Sequence, residues 1–160
     1  MYRKMSNGDF SFIYGLYMHP EVNPYLLYEV MDAAAFTPVF NDLLQKEIVY
    51  VFEPKGIPCG MFKFIPGQHR NAHLAYLGGL AIHPDYAGRG MGTQLIHSVI
   101  ELARSMQLLR IELTVATNNS RAIKLYENAG FEKEGVLRKF SWLLAEDRYV
   151  DEHMMSYLFR

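Results

Sequence analysis

Three alternating glycines lie between an apolar, strand-like segment and an amphipathic helical segment. Gly88, Gly90 and Gly92 follow the apolar run 73–82 and open a helix predicted to end near residue 106. Glycine lets the chain turn without Cβ clashes and lets backbone N–H groups point at one spot. The helix N-terminus adds unpaired N–H donors and a partial positive charge. The junction therefore predicts a phosphate or pyrophosphate site in an α/β fold, with a ligand-free strand-to-helix turn as the alternative.

Two common phosphate motifs fit this segment poorly. A P-loop needs Gly-Lys-Ser/Thr, but Gly92 is followed directly by Thr93. A dinucleotide fingerprint needs a third glycine where Leu95 stands. It also needs an acidic residue about 20 positions further on, where the chain has Leu109 and Arg110. The site is therefore expected to take a phosphate ligand of another class.

Composition excludes several classes of protein. The 160 residues fit one domain, 1–160. A net charge of −1 argues against a nucleic-acid partner and gives no field that attracts an acidic membrane. The single cysteine, Cys59, excludes an internal disulfide and a CxxC metal or redox site. No apolar run reaches the ~18–20 residues that span a bilayer, and the first residues lack a signal-peptide core, so we expect a cytoplasmic protein.

The other patterns predict a β-meander, a strand–helix–strand–helix crossover and a closing hairpin. A first helix is expected to end at His19-Pro20, and Thr37-Pro38 is expected to open a second. Asn119 and Gly130 bound a later helix. The predicted strands cover 2–5, 48–52, 61–65, 73–82, 110–115, 134–142 and 149–157.

The glycine segment resembles the pyrophosphate motif of the GNAT superfamily of acetyl-CoA-dependent N-acetyltransferases, Gln/Arg-x-x-Gly-x-Gly/Ala. Residues 119–131 are similar to a second family segment, Asn-x-x-Ala-x-x-x-Tyr-x-x-x-Gly-Phe. The two occur in the family order, and the resemblance is best over 74–131. It implies a mixed, mostly antiparallel sheet with a splayed parallel pair and flanking helices. Within the family, the sequence most resembles bacterial enzymes that act on small amines or amino acids.

The resemblance also implies which residues bind acetyl-CoA, the cosubstrate. The backbone of Leu80, Ala81 and Ile82 would pair with the pantetheine arm, and Asn119 would hydrogen-bond the cofactor. Backbone N–H groups of the loop and helix start would hold the pyrophosphate. They belong to Ala87, Gly88, Arg89, Gly90, Met91, Gly92 and Thr93. Ala87 stands where the family has Gln or Arg, which predicts a weaker grip on the cofactor rather than a lost one.

For catalysis, the resemblance implies that Tyr126 is the general acid for the leaving thiolate. Relatives that place a glutamate five residues before the asparagine have it where Thr114 stands here. Glu112, two residues earlier, shares that strand face and is the carboxylate candidate for the general base. Tyr76, His73 and a water chain are the alternatives, and Glu112 in a salt bridge is the structural interpretation. No metal is expected.

The resemblance implies direct transfer of the acetyl group to a primary amine of a small molecule in a ternary complex. An amino acid fits better than a polyamine, because the aromatic segment Tyr25–Tyr28 expected to roof the acceptor pocket carries no acidic excess. A protein N-terminus is the alternative acceptor. A non-catalytic acyl-CoA-binding regulatory module is the alternative of another class. A homodimer is left open.

Overall fold

The structure is a computed structural model that describes all 160 residues. Four α-helices are present, with short 3-10 turns between elements: α1 Phe10–Met18, α2 Ala33–Lys46, α3 Met91–Ser105 and α4 Ser120–Ala129. The seven strands are β1 Tyr2–Lys4, β2 Val49–Phe52, β3 Gly60–Pro66, β4 Leu74–Ile82, β5 Arg110–Ala116, β6 Glu132–Leu143 and β7 Arg148–Leu158. None of the helices is long and apolar enough to cross a membrane.

The seven strands form one sheet in the order β1-β2-β3-β4-β5-β7-β6. β1 and β2, β2 and β3, β5 and β7, and β6 and β7 pair antiparallel, whereas β4 and β5 are parallel. The parallel ladder joins only Leu74–Tyr76 to Arg110–Glu112. Both strands continue beyond this short ladder. The expected mostly antiparallel sheet with a splayed parallel pair is therefore confirmed.

The chain forms two compact units. The first contains residues 1–64 and 79–95, and the second contains residues 65–78 and 96–160. The boundaries fall within β3, β4 and α3. A single domain over 1–160 stays a prediction.

The core of the first unit lies where α1 and α2 cover one face of β2 and β3. Phe36, Phe40 and Leu43 repeat at helical spacing on α2, and all three are buried. The Phe10 ring packs edge-on against Phe36 and Phe40, with ring centroids 5.9 and 5.1 Å away. These aromatic contacts fix α2 against α1.

The predicted start of α2 at Thr37-Pro38 is wrong. The helix begins five residues earlier, where the Asp32 carboxylate accepts a hydrogen bond from the N–H of Ala35 at 2.8 Å. The Thr37 hydroxyl donates to the carbonyl of Ala33 instead of capping a new helix. Burial of Phe36 in the helix-lined core explains the earlier start, although Pro38 has no N–H for the carbonyl of Ala34.

In the second unit, β5 alternates buried and half-buried residues, with Ile111, Leu113 and Val115 directed to the interior. α4 begins and ends where the sequence predicts. The Asn119 side chain caps its first turn, and Gly130 stops it in the left-handed conformation with φ 106°. The Phe131 ring contacts both Tyr126 and Tyr157. These contacts hold α4 against the closing hairpin.

Candidate active site

The loop between β4 and α3 has the backbone conformation that its glycines predict. Gly88 and Gly90 lie in the left-handed region, with φ of 78° and 73°. A Cβ at either position would meet no atom within 4 Å. The dihedral angles therefore require glycine here, rather than close packing. The open side of this backbone fits a group bound directly against it.

The start of α3 supplies hydrogen-bond donors next to these glycines. The first intrahelical bond runs from the N–H of Gln94 to the carbonyl of Gly90 at 3.1 Å. The N–H groups of Met91, Gly92 and Thr93 precede that bond and have no helical carbonyl to pair with. Aligned amides at a helix N-terminus bind anions well, so these residues fit the pyrophosphate of acetyl-CoA. The Arg89 guanidinium lies 5.9 Å from the Tyr86 ring centroid.

The end of β4 leads directly into this loop. Its ladder with β5 stops at Tyr76, so the backbone of Leu80, Ala81 and Ile82 is not paired with β5. Gly79 has φ 53°, so the strand is irregular at this residue. Backbone groups not used by the sheet ladder fit the amide groups of a pantetheine arm.

Tyr126 lies on α4 with only 8% of its surface exposed. Its ring packs on Phe131, with the ring centroids 5.8 Å apart. Burial raises the pKa of the Tyr126 hydroxyl well above its ordinary value of 10.0, and the nearby Tyr76 raises it further. The phenol therefore carries its proton at neutral pH, as a general acid must.

Asn119 has a structural role that the sequence also predicts. Its Oδ1 accepts a hydrogen bond from the N–H of Ala122 at 3.3 Å and caps α4. The Nδ2 group of the same half-buried side chain is left as a donor. Asn119 thus caps the helix that carries Tyr126 and keeps a donor for a ligand.

Glu112 lies in an ion pair. Its Oε2 is 3.0 Å from both Nε and Nη2 of Arg110, and Nη1 of Arg110 is 2.7 Å from Oε2 of Glu134. The hydrogen bond to Glu134, followed by that to Glu112, raises the pKa of Arg110. The carboxylate of Glu112 is therefore held beside a permanent cation. A catalytic role for it stays a prediction.

Two hydroxyl groups of the second unit meet beside the acid candidate. The Tyr76 hydroxyl on β4 and the Thr114 hydroxyl on β5 are 3.0 Å apart. Tyr76 is also the group whose charge raises the pKa of Tyr126. Of the candidate bases, Tyr76 thus lies close to Tyr126, while His73 is exposed just before β4. No group of three or more His, Cys, Asp or Glu side chains lies close enough to hold a metal ion.

Lys63 on β3 belongs to no sequence motif. It is 9% exposed and lies in an otherwise apolar run, Met61-Phe62-Lys63-Phe64-Ile65. A charged residue in such a run is the signal that points to it. The segment expected to roof the acceptor pocket is mixed, because Tyr25 and Leu27 are exposed while Leu26 and Tyr28 pack against the core.

Comparison with known proteins identifies a family and a shared fold. Residues 13–131 match the acetyltransferase (GNAT) family. Over its whole fold the chain is similar to the crystal structure of spermidine N-acetyltransferase from Vibrio cholerae in complex with CoA and spermine. The TM-score is 0.85 at 24% identity, covering 99% of this chain and 94% of that one. This likeness concerns the fold.

Curated relatives match shorter segments. The L-amino acid N-acetyltransferase AaaT of Escherichia coli is 35% identical over 88 residues, which is 54% of this chain and 52% of that protein. The N-alpha-acetyltransferase RimI of Mycobacterium tuberculosis is 31% identical over 71 residues, which is 44% of this chain and 43% of that protein. The chain thus spans about half the length of these two relatives.

The family match covers well over half of the chain and includes both the glycine loop and α4. It confirms the resemblance drawn from the two sequence motifs. The chain belongs to the GNAT acetyltransferase family.

Proposed function

We propose that the chain transfers the acetyl group of acetyl-CoA directly to a primary amine of a small molecule, with both substrates bound together. The observation that carries this proposal is the loop after β4. There Gly88 and Gly90 adopt left-handed conformations before a helix start with unpaired amides. Bound acetyl-CoA supplies an activated thioester. The residues of the chain bind it, orient it, and donate and accept the protons of the reaction.

Backbone groups make most of the contacts to acetyl-CoA in this proposal. The N–H groups from Ala87 to Thr93 hold the pyrophosphate, and the edge of Leu80–Ile82 that is not paired with β5 holds the pantetheine arm. An N–H group of that strand end stabilises the negative charge that develops on the thioester oxygen. The Nδ2 group of Asn119 donates a further hydrogen bond to the cofactor. A grip made of backbone donors explains why Ala87 is tolerated where the family has Gln or Arg.

Side chains carry out the proton transfers in this proposal. As the amine nitrogen bonds to the acetyl carbon and the C–S bond breaks, Tyr126 gives its hydroxyl proton to the departing sulfur. The amine loses its proton to water or through the hydroxyl pair of Tyr76 and Thr114. Glu112 is the carboxylate alternative for that step, and its ion pair with Arg110 favours a structural role.

The similarity to AaaT supports an amino-acid acceptor, and the similarity to RimI supports a protein N-terminus as the second candidate. We favour the small molecule because the buried side chain of Lys63 lies with Tyr17 and Tyr28 in an aromatic cluster of the first unit, which is described below. The absence of the Gln or Arg at position 87 is the reason to keep a third candidate, a non-catalytic acyl-CoA-binding module, and the presence of Tyr126 argues against that candidate. A cytoplasmic location and a homodimer remain part of the proposal to be tested.

The test is a screen of the purified chain with acetyl-CoA against free amino acids, polyamines, other amines and peptides with free N-termini. Release of the CoA thiol and the mass of the acetylated product are measured together. We expect a small amine to be acetylated in preference to every peptide. Acetylation of peptides alone would select the second candidate, and acetyl-CoA binding without any thiol release would select the non-catalytic module.

A further inference from the structure

Lys63 carries a buried positive charge in the first unit. It pairs in register with Val49 of β2 and follows Met61 at the two-residue spacing that puts both on one face of the sheet. Met61 and Val49 belong to the core formed with α1 and α2. Lys63 therefore extends an apolar face with a cation that is only 9% exposed.

No carboxylate in the protein neutralises this cation. Lys63 makes no ion pair, and its Nζ instead lies 5.7 Å from the ring centroid of Tyr28. The charge of Asp42 raises the pKa of Tyr28, but the Asp42 carboxylate is itself paired with Lys46 at 2.9 Å. Burial, with a smaller contribution from the charge of Lys46, lowers the pKa of Lys63. A desolvated ammonium held mainly by an aromatic ring is costly, and a bound anion would relieve that cost.

Lys63 lies beside the irregular glycine of β4. A Cβ added to Gly79 would be 3.6 Å from the Cβ of Lys63 and 3.1 Å from the hydroxyl oxygen of Tyr17. Burial raises the pKa of the Tyr17 hydroxyl, so this group is a neutral donor. The Tyr17 ring packs on Tyr28 at 5.2 Å between centroids. Lys63, Tyr17 and Tyr28 thus form one cluster around Gly79, which we call the Lys63 cluster.

The position of this cluster relates it to the proposed reaction. Gly79 directly precedes Leu80–Ile82, the strand end to which the proposed function assigns the pantetheine arm. A side chain at position 79 would fill the space between Tyr17 and Lys63. Glycine there leaves that space open beside the Tyr17 hydroxyl and the Cβ of Lys63. An acceptor bound beside the thioester with one end in this space would meet the Tyr17 hydroxyl and the side chain of Lys63.

We propose that Lys63 binds the carboxylate of the acceptor, so that the substrate class is an amino acid or another small amino carboxylate. This inference rests on the proposed function. Tyr17 donates a second hydrogen bond to the carboxylate, and Tyr28 holds the ammonium in place through its ring face. The same cation repels polyamines, which carry only positive charge. Specificity thus comes from attraction of one acceptor class and repulsion of the other.

The test compares each L-amino acid with the amine that remains when its carboxylate is removed, such as methionine with 3-methylthiopropylamine. In the wild-type protein we expect kcat/KM to be at least about tenfold higher for the amino acid, a difference of about 1.4 kcal/mol. Lys63→Met should remove that preference mainly through KM and leave the plain amine within about twofold. Lys133→Met, which changes an exposed lysine of β6, serves as the matched control and should alter neither ratio.

Equal use of the amino acid and the plain amine by the wild type would overturn the inference while leaving the proposed function intact. Failure of the proposed function would appear differently, as no thiol release from any amine. If no thiol is released, or if Lys63→Met does not fold, the binding of each amino acid and its plain amine to the CoA-loaded wild type is measured by calorimetric titration. Binding of amino acids but not of plain amines supports the role of Lys63, and absence of amino-acid binding overturns it.

Discussion

The hydroxyl groups of Tyr76 and Thr114 form a 3.0 Å hydrogen bond across the parallel strands β4 and β5, although the residues are 38 positions apart in the chain. The family resemblance implies that Thr114 occupies the position at which some relatives place a glutamate. We therefore propose that a neutral hydroxyl pair takes the place of a carboxylate base. Tyr76 is also close enough to Tyr126 to raise the pKa of that hydroxyl.

This pair gives the first prediction. Tyr76→Phe should lower kcat by at least about fivefold, because it removes the hydroxyl that we propose lies on the proton path. Thr114→Val is the matched change, since it breaks the same hydrogen bond and keeps the Tyr76 hydroxyl, and it should retain most of the turnover. Initial rates of thiol release measure both. Equal rates for Tyr76→Phe and the wild type would place the proton path elsewhere.

The second prediction concerns Glu112. Its ion pair with Arg110 is partly exposed, and Arg110 keeps Glu134 as a partner when Glu112 is changed. Glu112→Gln should therefore leave turnover within about twofold and lower the free energy of unfolding by up to about 1 kcal/mol. Turnover is followed across pH, and unfolding is followed with urea. A large loss of turnover together with loss of the acidic limb of the pH–rate profile would instead identify Glu112 as the base.

The third prediction tests the glycine loop. Gly90→Asp places a negative charge where the pyrophosphate is proposed to bind, and acetyl-CoA affinity should fall at least about tenfold. Gly56→Asp is the matched control, because Gly56 also has a left-handed φ of 77° and open space around its Cα. It should show the same backbone strain without the loss of affinity. Calorimetry with acetyl-CoA measures both, and equal affinities would remove the loop from the site.

The local parts of this fold were predictable from the sequence. Helix α4 and the glycine loop follow from short-range signals, because a side-chain cap at Asn119 and left-handed glycines at 88 and 90 depend only on neighbouring residues. The start of α2 was not predictable in this way. Thr37-Pro38 is a valid local signal, but burial of Phe36 in the core favours the earlier cap at Asp32.

The long-range parts of the site could not be predicted. The hydrogen bond between Tyr76 and Thr114 depends on the register of β4 against β5, and that register is set by the whole sheet. The approach of Tyr17 and Lys63 to Gly79 likewise joins a helix and two strands that are far apart in the chain. The sequence does show a lone lysine in an apolar strand, but it does not show which residues surround it.

The fourth prediction concerns stability and pH. Asp9 is buried and accepts two hydrogen bonds from Arg3, at 2.8 and 2.9 Å, which hold its pKa below the ordinary 3.8. A lowered pKa in the folded state means that this stabilisation is present above about pH 4 and is lost as the pH falls through the folded value.

Asp9→Asn should therefore lower the free energy of unfolding by about 1–3 kcal/mol near neutral pH. The difference from the wild type should narrow in acid, where the wild-type carboxyl also becomes neutral. Urea unfolding of both proteins at neutral and acidic pH measures this. A difference that stays constant with pH would show that the charge of Asp9 does not contribute.

The proposed reaction depends on a proton that Tyr126 supplies during acetyl transfer. Tyr126→Phe keeps the ring packed on Phe131, so the fold, Tm and acetyl-CoA affinity should change little. Tyr157→Phe changes another ring in contact with Phe131 and is the matched control. The measurement is single-turnover acetyl transfer with the acceptor found in the screen. We predict a loss of at least about tenfold for Tyr126→Phe and none for Tyr157→Phe. A wild-type rate for Tyr126→Phe would show that Tyr126 is not the general acid and is a core residue only.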